Sequence, residues 1–502
     1  MSAELQQAGT QAAATTTEAS AAQVSEFESL LGQDFKVRTD ERKLAVESAV
    51  RTLAQQALGS ASLIQGNSIR TIESIIAEID KKLSEQVNKI IHHEDFKSLE
   101  GSWRGLHHLV FNTETDEMLK IRVLNISKKD VGKTIKNFPG ALWDQSPLFK
   151  KLYEEEFGTP NGEPYGCLIG DYQFDHSPPD VAIMAGMAKI AAAAHAPFFA
   201  AAAPTVMNMD SWQELANPRD LTKIFGSPEY APWRSLRASE DARYLGLTMP
   251  RFLSRLPYGA KTDPVAEFAF EEETESGGHN NYVWSNAAYA MGVNINRAFK
   301  NYGWCASIRG PESGGLVEGL PCHTFPTDDG GVDMKCPTEI AITDRREAEL
   351  AKNGFIPLSH WKNTDYAVFM GAQSLQKPAE YDDPDATANA NMSARLPYLF
   401  AVSRFAHYLK TMVRDKIGSF KERADMENWL NRWISQYTVD SSASETQKAK
   451  YPLAAAEVKV QEVPGNPGYY TSQFWLRPHY QLEGLTVSLR LVSKLPSVKQ
   501  GG

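Results

Sequence analysis

The chain has 502 residues, 42% of them hydrophobic, and a formal net charge of −10. That length allows roughly two to four domains with a sizeable core, and the acidic balance excludes a general nucleic-acid binder, which carries a basic stripe. Four cysteines, Cys167, Cys305, Cys322 and Cys336, are too few and too irregular for a disulfide framework, so a reducing, cytoplasmic setting is expected.

Residues 1–22 are mostly Ala, Thr, Gln and Ser, and bury too little to offset the entropy of ordering, so a mobile arm is expected. No basic segment followed by an apolar core marks a signal peptide. Met1 to Phe35 holds five acids and no Lys or Arg, whereas Tyr469 to Lys499 carries Arg477, Arg490, Lys494 and Lys499 against Glu483. Opposite charge favours end-to-end contact between copies, although charge alone fits two solvated tails equally. Helical spacing follows at 40–58 and, more strongly, at 68–91, where Ile69, Ile72, Ile76, Ile79 and Leu83 form a narrow seam. Such a seam packs on partner helices or within the chain. Leu99, Trp103, Leu106 and Val110 continue at helical spacing, and Gly101 and Gly105, one turn apart, would let another backbone approach closely.

Strand and helix then alternate. Leu119, Ile121 and Val123 alternate with Lys120 and Arg122 as a half-buried strand. Ser146-Pro147 opens a helix that Gly158 closes. Cys167–Gly170, a helix from Pro179 to Ala194, and Phe198–Ala202 form a β-α-β unit, which implies parallel strands. The greasy run 181–203 contains Lys189, His195 and Pro197, too interrupted for a membrane span. Residues 210–262 read as helical and loop-rich, 271–275 as a solvated acidic loop, and 284–302 as a helix. Glu339–Ile342 reads as a short strand, Asp344 with Glu347 as a helix start, and Gly354 as its end. Phe355–Leu358 and Tyr366–Ala372 suggest a hairpin around Lys362-Asn363.

Residues 378–393 are a polar break, read as a linker. After it, Leu396–Ile417 forms a helix with Leu399, Val402, Ala406, Leu409 and Val413 on one stripe and Arg404, Lys410 and Arg414 among its outer positions. A second helix, Phe420–Tyr437, carries Trp429 and Trp433. Two terminal strands close the chain, one holding Tyr470, Phe474 and Leu476, the other alternating Leu485, Val487, Leu489 and Leu491 with Thr486, Ser488, Arg490 and Val492. Two strands alone are marginal in water, so this hairpin must dock on its own domain or on another chain.

No constellation for catalysis stands out. Val131-Gly-Lys-Thr134 matches the end of a phosphate-binding loop, but Ser127 stands where its first glycine belongs. In Gly310–Gly315 the serine falls one position late for a nucleophile elbow. Cys322-His323 and Cys336 lack the spacing of a metal site, and the neighbouring histidines at 92–93 and 107–108 diverge on a helix. No cofactor, metal or catalytic residue is expected.

Trp103–Val110, Cys336–Leu350, Gly354–Leu358, Phe369–Pro378 and Phe474–His479 together resemble the large sheath subunit of the bacterial type VI secretion system, the TssC/VipB family, over nearly the whole chain from about residue 30. The resemblance implies a structural protein and not an enzyme, of mixed α/β, tail-sheath-like fold. N-terminal helices (36–115) would follow an arm and donated strand (1–35). A central α/β region (116–377) and the linker (378–393) would precede a C-terminal sheath domain (394–502) similar to contractile phage tail sheaths. It implies a heterodimer with a small sheath subunit, copies of itself in a helical sheath around an inner tube, a baseplate, and an AAA+ disassembly ATPase acting mainly through the small subunit, with no membrane insertion. It also implies strand exchange: the terminal hairpin at 469–481 and 485–494, a neighbour's strand near Val24, Phe27, Phe35 and Val37, and a strand of the small subunit would share one sheet. Because that C-terminal domain lies beside the tube in this family, the basic face of Arg404, Lys410 and Arg414 would either touch the tube or remain solvated. An uncharacterised cytoplasmic α/β enzyme is the alternative from another class, and a phage tail sheath, needing no small subunit, is a third.

Overall fold

A computed structural model describes residues 68–217, 220–274, 278–327, 329–416, 423–464 and 470–482, with the isolated positions Leu44 and Ser48. The arm, the 40–58 helix, the donated strand near 24–37 and the last strand at 485–494 lie outside the described residues, apart from those two positions. The chain divides into two compact units: Met1–Ser98 with Leu256–Tyr282, and Leu99–Arg255 with Val283–Gly502.

In the first unit, helix α1 (Ser68–Ile91) is fastened near its C-terminus by one amide. Asn88 Nδ2 donates to Glu271 O at 3.0 Å, and Glu273 N donates to Asn88 Oδ1 at 3.0 Å. Glu272 is buried, accepting from Tyr258 N at 2.9 Å and facing His92 Nε2 at 3.3 Å. Of the acidic loop expected to be solvated, Glu271 and Glu273 are exposed, whereas Glu272 is buried because its carboxylate is surrounded by donors that satisfy it.

The second unit takes up α2 (Glu94–Phe111), α3 (Lys128–Asn137) and a helix that starts at Pro147 under a Ser146 cap and runs on to Gly158 as expected. Next come β1 (Leu168–Phe174), α4 (Pro178–Ala194), β2 (Phe198–Ala202), β3 (Leu245–Met249), the short strands β4 (Phe252–Leu253) and β5 (Trp284–Ser285), and α5 (Ala287–Tyr302). They are followed by β6 (Leu316–Val317), β7 (Thr324–Pro326), β8 (Val332–Met334), α6 (Asp344–Lys352), β9 (Phe355–His360) and β10 (Ala367–Phe369). The C-terminal elements are α7 (Pro384–Ser393), α8 (Leu396–Asp415), α9 (Arg423–Ile434), α10 (Glu445–Lys450), β11 (Leu453–Glu462) and β12 (Tyr470–Pro478).

The central sheet has the order β1-β2-β3-β9-β10-β6, parallel through β9 and antiparallel beyond it. The β-α-β unit at 168–202 is present, with Leu168 paired to Phe198. Successive residues of β2 feed opposite faces, as strand geometry requires. Phe198, Ala200 and Ala202 pack into the core under α4, and Phe199 packs with α5 and α8 on the other side. The result is a sheet between helical layers. The β9–β10 hairpin also forms as expected, Asn363 taking a positive φ of 62° at its turn.

The differences have local causes. Strand β3 went unseen in the sequence because it is buried on both faces and so lacks alternation. Residues 119–122 keep the expected alternation, Ile121 inward and Arg122 outward to Glu156 and Glu163, but Val123 is exposed and the segment joins no ladder. Glu339–Ile342 is no strand: Thr338 bridges only Phe252, and Glu339 turns its carboxylate to Arg251. The linker 378–393 contains α7, capped by Asp383 and wholly without buried residues, so no apolar period announces it. In α8 the buried face runs through Leu396, Phe400, Ser403, Phe405, His407 and Leu409, and Val402, assigned to the core stripe, is exposed.

Candidate assembly surfaces

The terminal strand is where sequence and structure differ most. β12 pairs antiparallel with β11, Val458 opposite Phe474 and Glu462 opposite Tyr470. β11 has no counterpart in the sequence reading, in which 461–468 is a flexible segment, although Glu457-Val458-Lys459-Val460 alternates cleanly and buries both valines; Gln461 and Glu462 belong to the strand. Tyr470, Phe474 and Leu476 turn to the core formed with α8 and α9, while Trp475 and Arg477 face out. The first strand of the expected hairpin is therefore paired on one edge within the chain, and the expected second strand at 485–494 lies outside the described residues.

The two edges of that pair are unequal. Beside β11, Asn431 of α9 imitates a strand: its Nδ2 donates to Val458 O at 2.8 Å and its Oδ1 accepts from Val458 N at 2.9 Å. Glu427 Oε2 accepts from Val460 N at 2.9 Å. Helix side chains thus occupy three of the main-chain groups, Val458 N and O and Val460 N, through which β11 would recruit another strand. Among the described residues β12 is paired along one edge only. Beyond β12, Gln481 is pinned three ways: its N donates to Tyr398 Oη (2.9 Å), Arg309 Nε donates to its Oε1 (2.7 Å), and its Nε2 donates to Ala306 O (2.9 Å).

Helix α2 inverts its expected polarity. Gly101, Gly105 and Leu109 form its buried face. A Cβ at Gly101 would stand 2.5 Å from Trp284 O, and one at Gly105 2.4 Å from the Tyr289 ring, so the close approach anticipated from the glycines is present. In consequence Leu99, Trp103 and Val110 point outward, Trp103 64% exposed, and Phe111 is 75% exposed with His107 stacked on it at 3.9 Å. Met118, Val123 and Leu124 of the following unpaired segment are exposed as well.

On α1, the Ile69 and Ile72 side chains lie outside the described set; Ile76 is exposed and Ile79 and Leu83 are half-buried, with Asn88 and Ile91 turned inward instead. The basic positions of α8 do not form an outward face. Arg404 lies over Tyr408 and Phe299, 4.9 and 5.5 Å from their centroids. Lys410 Nζ donates to Tyr153 Oη at 3.0 Å and sits 3.8 Å over Phe157, and Arg414 Nη1 donates to Thr159 O at 3.1 Å. A long cationic side chain covers aromatic surface in its own chain when that surface is near, and all three, half-buried, make contacts within the chain. Residues 131–134 lie on α3 with Ser127 as its N-cap, far from a phosphate-binding loop in form. Gly310 and Gly314 serve a turn through positive φ, and no group of His, Cys, Asp or Glu with metal-binding geometry occurs among the described residues.

Family models for the EvpB/VC_A0108 tail sheath N-terminal domain and for the tail sheath gpW/gp25-like domain match residues 73–376 and 385–495. The chain belongs to this VipB tail sheath family. It is 71% identical to the type VI secretion system sheath protein TssC1 of Pseudomonas aeruginosa over 488 residues, 97% of each chain. Among solved structures, a chain of the anti-feeding prophage baseplate is similar at 12% identity and a TM-score of 0.34, covering 75% of this chain and 83% of that one. A chain of the contracted anti-feeding prophage sheath is similar at 12% identity and 0.27, covering 62% and 74%. At these scores neither likeness establishes a common fold. Among the described residues, no helix of this VipB-family chain is long and apolar enough to cross a membrane.

Proposed function

We propose that this chain is the large structural subunit of a contractile type VI secretion sheath, polymerising with a small partner subunit around an inner tube and contracting to drive protein secretion. Family membership and the 71% identity to a named sheath protein support that reading, and it is a structural and not a catalytic role. The observation that carries the mechanism is the unequal β11–β12 pair, partly covered by Asn431 and Glu427 on one edge and, among the described residues, unpaired on the other. An open edge binds an added strand through main-chain hydrogen bonds with little demand on side chains. The chain's own 485–494 strand extends the sheet from β12, and a neighbour's strand near 24–37 and one from the small subunit complete it. Subunits so laced together rotate as bodies while the sheet stays paired. Contraction then releases free energy stored when the extended packing was assembled. The apolar face of α2 is buried against neighbouring subunits in this assembly.

Removing 483–502 from the chain, co-expressed with the small subunit and imaged by negative-stain electron microscopy, tests this. Deleting from 469 would also remove core residues Phe474 and Leu476, so the shorter truncation is the cleaner one. Tubules from the full pair and none from a truncated chain that keeps its circular dichroism are expected. Tubules from both would sink the strand-exchange mechanism, and none from the full pair would sink the sheath reading.

A further inference from the structure

The β7–β8 ribbon carries two cysteines that the sheath role does not use. Its ladder pairs Thr324 with Met334, Phe325 with Asp333 and Pro326 with Val332. Hydrogen bonds continue it at both ends, Thr327 N to Gly331 O at 3.0 Å and Lys335 N to His323 O at 2.8 Å. One step further in the same register sets Cys322 opposite Cys336. Since pairs alternate between hydrogen-bonded and non-hydrogen-bonded, and His323 with Lys335 is hydrogen-bonded, Cys322 and Cys336 form a non-hydrogen-bonded pair. Such pairs have Cα atoms about 4.5 Å apart with side chains on one face, within the span of roughly 4.4–6.8 Å that a disulfide bridges.

The side chains meet around one carbonyl. Cys322 Sγ lies 3.8 Å from Thr364 O, and His360 Nε2 donates to the same oxygen at 2.9 Å. Cys336 Sγ lies 3.2 Å from Thr338 Oγ1 and is hydrogen-bonded to His360. From this geometry we infer that Cys322 and Cys336 are a peroxide-responsive thiol pair that closes a cross-strand disulfide at the base of the β7–β8 ribbon.

The two thiols have different roles. Burial works against ionisation of Cys336, yet hydrogen bonds from His360 and Thr338 outweigh it and hold the thiol below its ordinary value. Burial, then Asp365 and Cys336, push the Cys322 thiol up. Cys336 is therefore the attacking thiolate, since thiolate character sets reactivity. Its sulfur attacks hydrogen peroxide, the O–O bond breaks, hydroxide leaves and takes a proton as water, and Cys336 becomes a sulfenic acid. Cys322 sulfur then attacks the sulfenic sulfur, the S–O bond breaks and a second water leaves. Two thiols and one peroxide give one disulfide and two waters. Cys167 and Cys305 supply an internal contrast, burial pushing both thiols up to about 12.

The test uses the full chain under native conditions, treated with hydrogen peroxide, blocked with iodoacetamide and digested with trypsin without reduction. Trypsin cuts after Arg309, Lys335 and Arg345, so the disulfide joins Gly310–Lys335 to Cys336–Arg345. The joined peptide is expected to accumulate at least tenfold faster than oxidation of Cys167 or Cys305 and to vanish with dithiothreitol. In Cys322→Ser, Cys336 is expected to stop at a sulfenic acid that dimedone labels. His360→Asn is expected to slow linkage about three- to tenfold. Both thiols remaining open to iodoacetamide after peroxide, or Cys336 advancing to sulfinic acid in the native sequence without linkage, would overturn the proposal. An unchanged rate in His360→Asn would remove His360 from it.

Discussion

At the scale of single residues, two kinds of site are under the tightest constraint. Gly101 faces a backbone carbonyl oxygen and Gly105 an aromatic ring, at distances no Cβ tolerates. Gly101→Ala and Gly105→Ala should each cost about 1–3 kcal/mol, the usual range for overpacking, read as a lowered thermal midpoint. Gly101 should be the worse of the two, because a carbonyl moves less readily than a ring. The second kind is the buried imidazole. His407 donates from Nε2 to Ala194 O at 2.8 Å, and burial holds its pKa down to about 4, Arg404, His195 and Lys410 adding to that. Burial, then His107, hold His108 at about 4 too. In the unfolded chain both titrate near 6.5. Between those values the unfolded state binds more protons, so stability is complete above about pH 6.5 and falls as pH drops towards 4. Calorimetry from pH 7 to 4.5 should show a falling midpoint, and a flat profile would mean that these rings are hydrated.

At the scale of elements, Asn431 is the most informative side chain. Asn431→Ala removes both hydrogen bonds to Val458 and leaves strand groups unpaired, which should cost about 1–3 kcal/mol. It should also raise aggregation measured by light scattering, since β11 would then present an open edge. If scattering stays at the native level while stability falls, Asn431 is only a tether. The 396–415 helix announces itself by its one dry face, and the buried strands of the β-α-β unit and the β9–β10 hairpin by short apolar runs set between helix and turn signals. β3 was hidden because burial on both sides erases alternation, and α7 because exposure on all sides does the same. The face of α2 was misread for a different reason. Its glycines, and not its large apolar residues, mark the packed side, so Trp103 and Leu99 are free for another surface. Likewise Arg404, Lys410 and Arg414 read as an outer face because sequence spacing cannot reveal that Phe299 arrives beside Arg404, Tyr153 and Phe157 beside Lys410, and Thr159 beside Arg414.

At the scale of the whole molecule, the surfaces that fold the chain and those that assemble it are separable by substitution. Trp103→Arg should leave the chain's unfolding midpoint within about 0.5 kcal/mol of the native value, as exposed changes do, yet reduce co-purification of neighbouring subunits. Loss of folding would instead place Trp103 in the core. The sealed edge of β11 has one further consequence. A sheet with two open borders can add strands in both directions without limit, the growth mode of an amyloid. Here Asn431 and Glu427 occupy part of one border of the described β11–β12 pair. Under the strand exchange proposed above, growth through that sheet is polar: each protomer accepts on the β12 side, and the polymer inherits a direction from the placement of a single helix.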